Sequence, residues 1–198
     1  MTEATLPAVG QGPAWVTAEM PPGYQNRLFE IQRLTADLRE MDQIARVLWE
    51  TGQPLEQAVA AILGAVECEV DAERGTAGAL VATIGSSRRL LLVVSGGAGP
   101  IEKTSEELTR AFQAVQFASP GDRVVLVGGN DPNTPPADRP APVLPEALDI
   151  VERMGVNVTT TATVFRLWRL SLEDKPKARK ALDQLHAQDG GVFVIPAR

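Results

Sequence analysis

Among 198 residues there is one cysteine and one histidine. A single Cys excludes an intrachain disulfide and any zinc site built on several thiolates. A single His excludes a two-histidine metal site. Basic charge is also short: 19 Lys and Arg face 25 Asp and Glu, for a net charge of −6. That balance argues against strong non-specific nucleic-acid binding, which needs cations to displace counterions from phosphate. No apolar run approaches the roughly 18 residues of a membrane span. The start of the chain carries Glu3 and no basic stretch, so no secretory signal is expected and the expected location is cytoplasmic.

What the chain does have is enough apolar content for a core. Hydrophobic residues make up 44% and charged residues 22%, too little charge for a mainly disordered chain. At roughly 100–200 residues per domain, the length fits one domain and an appendage. Residues 1–23, rich in Ala, Pro, Gly and Thr, read as a flexible tail whose one large apolar side chain is Trp15. Over 24–51 the apolar residues Ile31, Leu34, Leu38, Met41, Ala45 and Leu48 recur at spacings of 3, 4, 3, 4 and 3. Charged and polar residues lie between them. This is an a/d seam on an amphipathic, coiled-coil-like helix, and the expected dimerisation element.

Gly52 is read as the stop of that helix, and residues 52–198 as the domain proper. Leu55, Ala58, Val59, Ile62, Leu63 and Val66 repeat at helical spacing. Strands are expected at 67–70, 79–84 and 90–94, with a turn at 71–77 and a hairpin at 85–87. A helix then carries Leu108, Phe112 and Val115, followed by a strand at 124–127 and a Pro-rich loop at 130–143. Further helices are expected at 144–154, 164–170 and 177–186. Strands are expected at 156–160 and, short and terminal, at 192–195. The order α-β-β-β-α-β-α-β-α predicts a mixed α/β sheet flanked by helices.

Three strings, LWETGQPLEQAV (48–59), RRLLLVVSGGAGPI (88–101) and GVNVTTTATVFRLW (155–168), resemble the PD-(D/E)xK, or restriction-endonuclease-like, fold. The similarity spans about residues 45–170. In such nucleases the third strand ends in a pattern like V-E-V-K-G-S-x-G-P-I. Two carboxylates hold a hard divalent cation there, and the Lys helps activate water. Anchored on Gly99-Pro100-Ile101, the acid position is Val93 and the Lys position is Ser95. Residues 78–82 supply no second acid. Only Glu56 matches an acidic position of the fold. The resemblance therefore implies a catalytically dead relative with no cofactor and no metal. Taken with the helix seam, it gives the expectation of a scaffold or regulatory protein that self-associates as a homodimer or higher oligomer and binds a protein partner.

Two alternatives come from other residues. Relocated acids could rebuild a nuclease site: among Glu67, Glu69, Asp71 and Glu73 before the missing site and Glu102 and Lys103 after it, the best set is Glu69 with Glu102 and Lys103. A basic stretch of Arg166, Arg169, Lys175, Lys177, Arg179 and Lys180 could touch phosphate or an acidic partner. The string at 97–104 is no phosphate loop, since Glu102 replaces the second Gly and Pro100 removes an N–H. Cys68 is expected to face the core, and His186 to sit in a last helical turn. Neither has a partner for nucleophilic chemistry. The Pro-rich segment reads as a connection and not as a docking motif.

Overall fold

The computed structural model describes residue 16 and residues 19–71, 78–95, 97–128, 131 and 133–195. Trp15 and most of the expected tail lie outside these, as do Glu73 and most of the 71–77 turn. The chain forms two compact units, Met1–Asp42 and Gln43–Arg198.

The first unit contributes most of helix α1, Tyr24–Ala45. Arg33 pairs with Asp37 at 3.2 Å across one turn, as the alternation of charge predicts. The helix is shorter than expected. It gives way to a 3-10 turn, Arg46–Leu48, well before Gly52. Ile44, in the last turn of α1, and Val47, in the 3-10 turn, are both buried in the core of the second unit. Gly52 does not end α1. It opens α2, Gly52–Ala65, at φ +61.

The second unit is an α/β domain on one six-stranded mixed sheet. Its strands, β1 Cys68–Asp71, β2 Leu80–Ile84, β3 Arg88–Val94, β4 Arg123–Gly128, β5 Asn157–Thr160 and β6 Gly191–Val192, lie side by side in chain order. The first three form an antiparallel meander, and β3 to β6 run parallel. The remaining helices are α3 Glu106–Phe117, α4 Pro145–Arg153, α5 Thr161–Glu173 and α6 Lys175–Ala187. The expected mixed sheet and element order are both present. The terminal strand is shorter than read, although Phe193 still donates its N–H to the Val158 carbonyl at 2.7 Å.

Alternation along β3 and β4 sorts the core into two layers. Leu90, Leu92, Val94, Val125 and Val127 join the apolar faces of α2, α5 and α6. Leu91, Val93, Val124 and Leu126 join those of α3 and α4. Strands buried on both faces explain the continuous apolar runs in the sequence. Local chemistry sets the helix ends. Thr160 accepts the Thr163 N–H to cap α5, and Asp174 accepts the Lys177 N–H to cap α6. At the end of α2, Glu67 takes φ +66, a left-handed conformation usually given to Gly.

Candidate functional site

The end of β3 is where the resemblance would place chemistry. There Arg110, from α3, reaches past the strand end. Its Nη1 donates to the Val94 carbonyl at 3.2 Å, and its Nη2 donates to the Gly78 carbonyl at 2.9 Å. The same Nη2 stands 3.5 Å from Glu56 Oε1 on α2. A carboxylate and two main-chain carbonyls are an oxygen set suited to a hard cation, and here a guanidinium sits among them. Gly78 carries φ +69, which lets its carbonyl turn toward Arg110 just before β2 begins. Beside this cluster opens a cleft of about 180 Å³. Gln53, Gln57 and Ala60 of α2 wall it, and Leu80, Leu92 and Val94 floor it.

The three positions singled out by the sequence comparison part company. Glu56 meets Arg110. Ser95 donates its hydroxyl to Glu107 Oε1 at 2.9 Å, on the α3 side. Val93 is fully buried in the layer under α3 and α4, on the opposite sheet face from α2. Among the described residues, no group of three or more His, Cys, Asp or Glu side chains gathers as a metal site. Glu69, Glu102 and Lys103 are all exposed, and no such group forms around them.

Salt bridges break up the basic stretch. Lys175 meets Glu67 at 3.0 Å, Lys177 meets Asp174 at 2.7 Å, and Arg179 lies 3.8 Å from Asp183. Arg166 donates to the Ile195 carbonyl at 3.1 Å. Arg169 and Lys180 are exposed. Cys68 is buried, as read, and burial pushes its thiol up, with Arg179 opposing. His186 lies in the last turn of α6, half-buried, with Nε2 at 3.0 Å from the Gly121 carbonyl.

Two arginines hold more of the structure together than the sequence reading assigned them. One is Arg110. The other is Arg139, in the Pro-rich loop. It donates to the Thr134 carbonyl, the Thr161 hydroxyl and the Leu48 carbonyl. The loop is thereby fixed to the 3-10 turn and to the start of α5. Burial lowers the affinity of this guanidinium for its proton, and the Asp131 charge opposes that shift. A sequence signal did exist for Arg110: it lies on the flank of α3 beside the buried Ala111 and Ala114, one turn from Glu107.

On α1, Ile31, Leu34, Leu38 and Met41 are 42–56% exposed. Leu48, joined to them by spacing, belongs elsewhere. It lies in the 3-10 turn, half-buried against the core of the second unit. The tighter 3-10 turn after Ala45 carries it off the helical stripe.

No family model, no curated protein and no solved structure matches the chain. No helix among the described residues is long and apolar enough to cross a membrane.

Proposed function

We propose that this chain is a non-enzymatic assembly protein, in which a degenerate restriction-endonuclease-like domain is brought into a homo-oligomer by α1. One observation carries the reading: four large apolar side chains at 3-4-3 spacing, Ile31, Leu34, Leu38 and Met41, stand in solvent on one stripe of α1. The helix–meander–helix–strand order of the second unit supports the nuclease-like ancestry. Arg110 supports the loss of catalysis, because its guanidinium supplies at Glu56 the positive charge that a divalent cation would otherwise bring. The α/β unit then serves as a surface for a protein partner in the cytoplasm, with no cofactor.

Light scattering tests this. The wild-type chain is expected to show at least a dimer mass, and Leu38→Asp a monomer mass with an unchanged far-UV circular dichroism spectrum. A wild-type monomer throughout a concentration series, or an unchanged mass in Leu38→Asp, would overturn it. Cleavage of DNA or RNA dependent on Mg²⁺ or Mn²⁺ would overturn the non-enzymatic half.

A further inference from the structure

We propose that α1 pairs with α1 of a second copy in antiparallel orientation, about an axis passing between Leu34 and Leu38. This rests on the self-association reading and adds to it the direction and register of the pair. The apolar stripe alone does not choose a direction. The charges beside it do.

Along α1 the charge is uneven. In the first half, Arg27 and Arg33 against Glu30 leave +1; in the second, Asp37, Glu40 and Asp42 against Arg39 leave −2. A parallel pair would lay like halves together. With Ile31 and Leu38 at a, and Leu34 and Met41 at d, Asp37 is a g residue and Asp42 an e residue. Parallel packing sets each g against the e five residues further along its partner. Asp37 would then face the partner's Asp42, twice by symmetry, with like charges opposed at close range.

The antiparallel pair sets a against d. Leu34 meets the partner's Leu38, and Ile31 meets the partner's Met41, giving four apolar layers. The basic half of each helix lies on the acidic half of the other. Arg27, the d residue one heptad before Leu34, lies level with the partner's Ala45, with the partner's Asp42 about 4.5 Å further along the axis and within reach of its long side chain. The helix dipoles also oppose head to tail. One like-charge meeting remains, Asp37 with the partner's Asp37 near the axis. Arg33, 3.2 Å from Asp37, offsets part of that charge in either direction, so the difference lies in the count: one like-charge meeting in the antiparallel pair against two in the parallel one. Phe29, the most exposed apolar side chain of α1 at 68%, lies on the far side of the helix from this seam and takes no part.

Spin labels at two exposed positions off the seam read the direction. In the antiparallel register, residue 25 lies level with residue 47 of the partner. At 1.5 Å rise per residue, labels at Gln25→Cys are then about 33 Å apart along the axis. Labels at Ala36→Cys, level with the axis but on the outer face of each helix, are separated only by the width of two packed helices, about 20–25 Å. Electron–electron dipolar spectroscopy on each full-length variant is expected to give the long and the short distance respectively. The native Cys68 is buried, and the unsubstituted chain is the control for its labelling. Short distances at both sites mean a parallel pair, which overturns this inference and leaves self-association standing. Long distances at both mean a different interface and overturn it too. No dipolar coupling together with a monomer mass by light scattering overturns both readings.

A charge reversal gives a second, independent sign. Asp42→Lys is expected to weaken the dimer, by losing the attraction to the partner's Arg27. A tightened dimer is the result a parallel pair gives, since the new cation would then meet the partner's Asp37, and that result overturns the proposal.

Discussion

Replacing Arg110 with Met keeps the length of the stem and removes the fork. Two donated hydrogen bonds, at 2.9 Å to Gly78 and 3.2 Å to Val94, are lost outright, and two main-chain carbonyls at the strand ends lose their donor. Hydrogen bonds from a charged donor contribute about 1.5–3 kcal/mol each. The Arg110 side chain is 21% exposed, so water recovers part of the loss. The Glu56 contact, at 3.5 Å and between partly exposed groups, adds at most about 1 kcal/mol. Arg110→Met should therefore cost about 2–4 kcal/mol, while Glu56→Gln should cost about 1 kcal/mol or less. For a domain of this size that separates Tm shifts of about 4–16 °C from shifts of about 4 °C or less. Urea unfolding followed by tryptophan fluorescence gives both values and, with the double variant, the coupling between them. The carbonyls dominate if the coupling is small. A Glu56→Gln cost equal to that of Arg110→Met would show that the ion pair is the main term and refute the reasoning. A neutral Arg110→Met would refute the clamp altogether.

Four further outcomes are expected. Glu67 holds a left-handed conformation that costs an L-residue about 1–2 kcal/mol, so Glu67→Gly should raise stability by about 0.5–1 kcal/mol after the extra unfolded-state entropy of Gly is counted. Its bridge to Lys175 is solvent-exposed on both sides, and Lys175→Ala should be near neutral; a loss of stability in Glu67→Gly by chemical denaturation would show otherwise. Burial alone would raise the Asp122 carboxyl, but hydrogen bonds from Arg89 and the Ser119 N–H, and the Arg89 charge, hold it below the usual carboxylate range. Its stabilisation is therefore fully present above the unfolded value of about 3.9 and lost as pH falls through the lower folded value. Asp122→Asn should flatten the acid limb of a Tm-against-pH curve, and an unchanged limb would contradict the assignment. Val93→Glu, made with Ser95→Lys to install the pattern of the nuclease-like fold, should cost more than about 3 kcal/mol, because position 93 opens into an apolar layer. Calorimetry showing an unchanged Tm, or one raised by Mg²⁺, would mean that position 93 reaches the Glu56 cleft instead.

Much of the scaffold was legible because its signals are local. The runs at 90–94 and 124–127 announce strands covered on both faces, and the helix spacing of Leu55 to Leu63 is unbroken. Boundaries failed where packing overrode local preference. Nothing in the 3-4-3-4-3 spacing through Leu48 discloses that Ile44 and Val47 are both buried in the core, or that the chain turns to 3-10 geometry after Ala45. The site failed for a related reason. The resemblance points only to positions 93 and 95. It does not find an arginine further along the chain, because Arg110 reaches Val94, Gly78 and Glu56 only through the tertiary path of α3 over the strand end. Arg139 was likewise hidden among prolines, whose composition says loop but not what the loop is tied to.

The fate of the basic residues bears on what this surface can bind. Lys175 to Glu67 joins the start of α6 to the end of α2. Arg88 to Asp183, at 2.8 Å, joins β3 to α6, and Arg89 to Asp122 joins the start of β3 to the turn before β4. Arg110 and Arg139 are turned onto main-chain carbonyls. In a chain with fewer bases than acids, cations held between elements do not make a patch, because each already lies beside an opposing charge or an oxygen. A phosphate backbone would have to compete with those internal contacts while meeting a surface of net negative charge, and its hold weakens further as salt rises. A basic or apolar protein surface meets no such conflict. Acid on the outermost strand of the meander, such as the exposed Glu69, also repels a like strand from that edge. Edge pairing between copies is disfavoured at that strand, and a homo-oligomer of the kind proposed would then rest on the apolar stripe of α1.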